Sequence, residues 1–185
     1  MSGVFHIVGA AEDTIAVLKA AAGRFDLEAV FCAQYVRIAR IIAGVVRDHA
    51  RAEELAVEVF LRLWRTPPAQ GVHAEAWLYR TAVRTGLNEL RRQTRQSRYE
   101  GLFGFARPVP TPEEIRNTAE EEERVRLVLS AIPPHKAELL ILRSQGLGYQ
   151  GMAVALDLNQ ASIGTLLRRA QQAFRKEYIR RYGSQ

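Results

Sequence analysis

The sequence predicts an all-α protein built as two small helical domains joined by a linker. Apolar residues recur at steps of three and four through most of its 185 residues, which is the pattern of amphipathic helices. No segment shows the signals of a strand, and one stretch rich in glycine and proline divides the helical pattern in two. We expect an N-terminal extension, a first domain, a linker and a second domain over residues 1–25, 26–98, 99–119 and 120–185.

Three helices are predicted in the first domain, over residues 26–46, 50–65 and 74–98. Asp26 is a candidate N-cap for the first of them. In the second helix an apolar stripe extends from Ala52 to Trp64, and the opposite face is rich in glutamate. The segment TPPAQG that follows ends this helix, because two prolines cannot continue it.

Four shorter helices are predicted in the second domain, over residues 120–131, 135–145, 149–156 and 159–181. The segments IPPHK and GLG separate the first three of them. The last two helices have the form of a helix-turn-helix, whose second helix lies in the major groove in DNA-binding proteins. In that second helix we expect Ile163, Leu167 and Ala170 to pack inward.

Positive charge is concentrated on one helix of each domain. The chain has a formal net charge of +6, and the segment 80–98 holds six arginines against the single acid Glu89. By contrast, the segment 113–123 holds six glutamates and one arginine. Two arginine-rich helices favour contact with phosphate, since arginine can bind phosphate through two parallel hydrogen bonds. The alternative is a pair of solvated surfaces.

Aromatic residues lie beside the first arginine cluster. Trp77 and Tyr79 precede most of its arginines on the same predicted helix. Aromatic rings next to cations suit unstacked bases, which stack on the rings while arginine contacts the backbone. Packing against a neighbouring helix is an equally good explanation for Trp77.

Several classes of function are not supported by any motif. Cys32 is the only cysteine, so there is neither an internal disulfide nor a cysteine-rich zinc site, and we expect it to be a packed thiol. The four histidines lack metal-ligand spacing, and no nucleophile elbow, phosphate-binding loop or dinucleotide fingerprint occurs. We therefore predict no catalytic residue, metal, cofactor or small-molecule substrate. No apolar run approaches the roughly 18 residues of a membrane span, and the start lacks the features of a signal peptide, so a cytoplasmic location is expected.

Three blocks in order resemble one family. They are RDHARAEELAVEVFLRLWR (47–65), AWLYRTAVRTGLNELRR (76–92), and a segment over 130–176 that contains IPP, GLGY and a helix-turn-helix ending in RRA. Together these blocks resemble the extracytoplasmic-function (ECF) sigma factors of the sigma-70 family, two-domain initiation factors of bacterial transcription. The resemblance implies a non-enzymatic subunit that binds core RNA polymerase and promoter DNA, with an anti-sigma protein as a further partner.

The resemblance also implies roles for particular residues. The family's polymerase-binding helix matches Glu53, Glu54, Leu55, Glu58 and Phe60. The helix that holds the melted minus-ten element matches Arg80, Arg84, Asn88, Arg91 and Arg92, and the loop that captures a flipped base matches 66–75. The helix that contacts the minus-thirty-five element matches Asn159, Gln160, Ser162, Thr165, Arg168 and Arg169.

The chain departs from the family pattern at several of these places. Arg51, Val57 and Val83 replace a usual acid, glutamine and arginine, and Asp157 replaces a turn glycine. In the recognition helix Gly164 and Leu166 replace basic residues. These losses keep two alternatives open: a sigma-like protein that binds polymerase or an anti-sigma factor without initiating, and a stand-alone helix-turn-helix regulator.

Overall fold

The computed structural model describes residues 25–102 and 113–183, and this part of the chain is helical without a strand. Its helices are α1 (Leu27–Val46), α2 (His49–Trp64), α3 (Ala74–Leu102), α4 (Glu113–Ala131), α5 (Pro134–Ser144), α6 (Tyr149–Leu156) and α7 (Gln160–Tyr182), with a 3-10 turn at Pro67–Ala69. The predicted all-α class is confirmed. Residues 1–24 of the predicted extension lie outside the described residues, as do residues 103–112.

Helices α3 and α4 are longer than predicted. Residues 99–102 continue α3 and residues 113–119 begin α4, although the composition of 99–119 indicated a linker. Gly101 lies within the last turn of α3. The helix continues through this residue, because a single glycine weakens a helix but does not by itself end it.

Side-chain caps fix where the first two helices begin. The carboxylate of Asp26 accepts a hydrogen bond of 2.9 Å from the backbone N–H of Ala29, which confirms the predicted cap of α1. Asp48 accepts a bond of 3.0 Å from the N–H of Arg51 at the start of α2. Beyond α2, the side-chain amide of Gln70 donates to the last carbonyls of the helix and holds the 3-10 turn against its end.

Helix α1 packs its apolar face against α2 and α3. Ile38, Ile41 and Ile42 are fully buried there, and a Cβ on Gly86 would lie only 3.4 Å from Val45, so α1 and α3 approach closely. By length and composition α1 is apolar enough to cross a membrane, but one face of it forms this core. Cys32 lies on the outer side of α1 and is exposed, so the expectation of a packed thiol was wrong.

The second group of helices packs on α3. Helices α4, α5 and α6 all contact α3, and α7 contacts α4, α5 and α6. Val128, Leu142, Met152 and Ile163 are fully buried between these helices, and they join the residues around Ile41 in one continuous core. Because α3 contacts both groups, it positions the arginine cluster where the two halves of the molecule meet.

Candidate polymerase and nucleic-acid interfaces

The five residues predicted to hold the melted strand all lie on α3. Arg84, Asn88 and Arg92 are exposed, whereas Arg80 and Arg91 are half-buried. Steps of three and four residues bring most of them onto one side of the helix. The structure therefore places these residues together, and contact with phosphate remains a prediction.

Two of these arginines are bound to the second group of helices. The Nε of Arg84 donates to the Glu138 carboxylate on α5 at 3.1 Å. The guanidinium of Arg91 donates to the carbonyl oxygens of Ser130 and Ile132, each at 3.2 Å. In this arrangement both side chains contact the neighbouring helices, and the Arg84 side chain, which is 54% exposed, donates through its Nε alone.

A cavity of about 590 Å³ lies beside Arg80, between the start of α3, the 3-10 turn and α6. His73, Trp77 and Arg80 line one wall, and Val154 and Asp157 line the other. Trp77 is half-buried and packs against the core, which supports its role in helix packing. Its ring also lines the cavity, and stacking of this ring on a base stays a prediction.

The predicted polymerase face of α2 divides into exposed and buried residues. Glu53 and Glu54 are exposed and Glu58 is half-buried. Leu55 and Phe60 are only 4% and 3% exposed, because their side chains point into the core. Both residues belong to the predicted apolar stripe and hold α2 in place, and their assignment to the polymerase-binding helix stays a prediction.

Helix α2 has an exposed apolar stripe that was not predicted from the sequence. Val57, Leu61 and Trp64 are 42%, 41% and 60% exposed, and their spacing puts them on one face of the helix. Trp64 was expected in the core stripe with Leu63, and that expectation was wrong. The sequence carries a signal for this stripe, because α2 has apolar residues on two faces. A helix that packs on one side needs only one apolar stripe.

Helices α6 and α7 are joined by a three-residue turn. Asp157 adopts the left-handed conformation (φ 57°) at the end of α6. The glycine that Asp157 replaces is usual at this turn because the position requires that conformation. The Asn159 side chain accepts a hydrogen bond of 2.9 Å from the N–H of Ala161 and caps α7. Ile163, Leu167 and Ala170 are buried as predicted. The remaining predicted DNA contacts of this helix are exposed: Gln160, Ser162, Thr165, Arg168 and Arg169.

The structure gives a packing role to one of the two unusual residues of α7. A Cβ at Gly164 would lie 3.5 Å from the Tyr149 ring, so the glycine lies directly against this aromatic side chain. Leu166 is half-buried and packs against the core. Leu166 therefore stabilises α7, and only the surface at Gly164 is open to a longer side chain.

Comparison with known proteins identifies one domain of this chain. Residues 33–96, which extend from α1 into α3, match the sigma-70 region 2 family. The chain is 27% identical over 176 residues to the ECF RNA polymerase sigma factor SigK of Mycobacterium ulcerans, covering 90% of this chain and 94% of SigK. Residues 33–96 of the chain thus form a sigma-70 region 2 domain, and most of the chain is similar to an ECF sigma factor. The region 2 domain contains most of α1, all of α2 and most of α3.

Two further similarities were found. The chain is 29% identical over 155 residues to the probable RNA polymerase sigma factor RfaY of Xanthomonas campestris pv. campestris. This match covers 78% of the chain but only 38% of RfaY. Among solved structures, the sigma factor RpoE in complex with the anti-sigma factor NepR from Bartonella quintana matches 82% of this chain and 96% of RpoE, with a TM-score of 0.49 and 14% identity.

Two departures from the sigma-70 pattern in region 2 have structural explanations. Val83 is fully buried in the core, where an arginine would lack both water and a partner. Arg51 donates to Glu54 at 2.8 Å and lies 3.6 Å from the carboxylate of Glu89. The Glu89 side chain is only 5% exposed, and the hydrogen bond from Arg92, assisted by Arg51, lowers its pKa below the ordinary value. Arg51 thus serves as a second cation for a buried acid.

Replacing Gly164 with lysine should tighten binding to duplex DNA. The new Cβ fits against Tyr149 at an ordinary contact distance, and the added cation extends from the exposed surface of α7. One added phosphate contact should steepen the salt dependence by about 0.9 log units per log unit of salt. Gel-shift titrations of the full chain at several salt concentrations measure this. Ala50→Lys adds the same charge at an exposed site on α2, and equal tightening by both variants would contradict a DNA-facing role for this surface.

Proposed function

We propose that this chain is a sigma factor, a non-enzymatic subunit that gives core RNA polymerase its promoter specificity. The sigma-70 region 2 match over 33–96 carries the proposal. Three separate surfaces support this function: the exposed surface of α2, the arginines of α3 and the capped helix α7. The partners are core RNA polymerase and promoter DNA, and an anti-sigma protein is a further predicted partner. The chain acts in the cytoplasm.

The two halves of the chain have different roles in this function. Residues 26–98 bind polymerase and hold the melted strand, and residues 120–185 contact the upstream duplex element. Exposed arginines of α3 and the exposed polar start of α7 support this division. Since the first two turns of α7 offer few long polar side chains, upstream recognition relies partly on DNA shape and on tethering through polymerase.

Trp64→Ala should weaken polymerase binding without disturbing the fold. Trp64 is the largest residue of the exposed stripe on α2, and tryptophans at the centre of interfaces are frequent hot spots. We expect the affinity for core polymerase to fall by more than about tenfold, as measured by biolayer interferometry with immobilised core enzyme. Val72→Ala serves as control, because Val72 is exposed but lies on the loop before α3. Unchanged binding by Trp64→Ala would show that this face does not contact polymerase.

A further inference from the structure

The aromatic ring of Tyr149 is exposed and yet held in place. Tyr149 is the first residue of α6, and 46% of its surface is exposed. The guanidinium of Arg143 on α5 lies over the ring, 5.8 Å from its centroid, and also donates to the carbonyl oxygen of Leu147 at 3.2 Å. An arginine over an aromatic face attracts the ring electrostatically. Arg143 therefore fixes the position of a ring that the core does not cover.

Gly164 on α7 leaves room for one methyl group against this ring. A Cβ at residue 164 would lie 3.5 Å from Cε2 and 3.8 Å from the hydroxyl oxygen of Tyr149, and these are its nearest neighbours. Both are ordinary contact distances between packed atoms. Any other residue would fill this space with its own Cβ. In this chain the space beside the ring is open to a methyl group from a ligand.

The open space lies between two predicted DNA contacts. Gln160, Gly164 and Arg168 follow one another at steps of four residues, which places them along one side of α7. Gln160 and Arg168 are both exposed. An open hollow of about 720 Å³ on this side is lined by residues that include Tyr149, Gln160, Gly164 and Thr165. A base edge that meets Gln160 and Arg168 would therefore also meet the Tyr149 ring.

We propose that Tyr149 and Gly164 together form a binding site for the 5-methyl group of a thymine, which makes Tyr149 a specificity-determining residue for the upstream duplex. This inference rests on the proposed function. Thymine is the only one of the four bases that presents a methyl group in the major groove, and proteins recognise that group by apolar contact. The ring and the bare glycine backbone supply such a contact. It compensates in part for the basic residue that Gly164 replaces.

Replacing thymine with deoxyuracil isolates this contact. Deoxyuracil pairs with adenine as thymine does and lacks only the 5-methyl group. The full chain first selects its preferred sequences from a pool of randomised duplexes, and each thymine of the selected sequence is then replaced in turn. Fluorescence anisotropy gives the affinity for each duplex. At one thymine position the unmodified chain should lose about fourfold in affinity, which is the effect of burying one methyl group.

Two variants should remove this dependence on the methyl group. Gly164→Ala places its own methyl group in the space, and the variant should fold because alanine favours a helix more than glycine does. Tyr149→Ala removes the ring. For both variants the thymine duplex and the deoxyuracil duplex should bind with nearly equal affinity.

Two controls should keep the fourfold difference. Gly151→Ala makes the same substitution on α6, where the new Cβ would have only Leu147 as its nearest neighbour, at 3.9 Å. Tyr149→Phe keeps the ring and removes the hydroxyl group. A loss of the difference in Tyr149→Phe would show that Tyr149 acts through its hydroxyl, for example on a phosphate, and would overturn the methyl site.

The remaining outcomes separate this inference from the proposed function. A selected sequence in which no thymine depends on its methyl group would overturn the methyl site and leave upstream recognition standing. The same holds for a difference that persists in Gly164→Ala or in Tyr149→Ala. Failure of the full chain to select any sequence would overturn both the methyl site and the proposed contact of residues 120–185 with the upstream duplex.

Discussion

Replacing Phe60 with alanine should lower the free energy of unfolding by about 3–5 kcal/mol. The Phe60 ring is 3% exposed and lies 4.8 Å from the ring of Phe31 in an edge-to-face arrangement. Its loss leaves a cavity between α1 and α2 and removes a favourable aromatic contact. Urea denaturation followed by circular dichroism measures the change.

Trp64→Ala provides the matched control for Phe60→Ala on the same helix. It also removes a large aromatic ring, but Trp64 is 60% exposed. Its effect on the free energy of unfolding should stay within about 0.5 kcal/mol, as for most surface substitutions. Comparable destabilisation by the two variants would contradict the assignment of one inner and one outer face to α2.

Changing Arg80 and Arg84 together to alanine should reduce open-complex formation in the holoenzyme while leaving polymerase binding unchanged. Both residues lie on α3 within the region 2 domain, away from the exposed stripe of α2. Each lost contact with a single strand should flatten the salt dependence by about 0.7 log units per log unit of salt. Permanganate footprinting of the melted promoter at several salt concentrations measures the extent of promoter opening and its salt dependence.

The control for this double variant replaces Arg40 and Arg175, two exposed arginines on α1 and α7. It removes the same charge without touching α3. An unchanged salt slope for the Arg80 and Arg84 variant, or an equal change in the control, would show that these arginines form only a solvated surface.

The helices were predictable because each depends on local patterns. The periodic apolar residues of α1 and α2, the Asp26 cap and the left-handed turn at Asp157 all follow from neighbouring residues. The ends of α3 and α4 were missed, since glycines and prolines in 99–119 lower helix propensity without specifying where a helix stops.

Contacts between distant residues were not predictable in the same way. Arg91 contacts Ser130, and Arg126 contacts Val45, across 39 and 81 residues of sequence. Periodicity places an arginine on a face but does not say whether that face meets water, DNA or another helix. The same limit explains the error at Trp64, where two apolar faces of α2 made the inner and outer sides hard to assign.

Transcription from a pool of genomic promoter fragments tests whether the chain directs initiation at specific promoters. Core RNA polymerase is incubated with the full chain and the pool, and the 5′ ends of the transcripts are sequenced. We expect transcripts that begin at discrete promoters only when the chain is present, and we expect their yield to fall with Trp64→Ala. Absence of any chain-dependent transcript, while the chain still binds core polymerase, would contradict the assignment as a sigma factor.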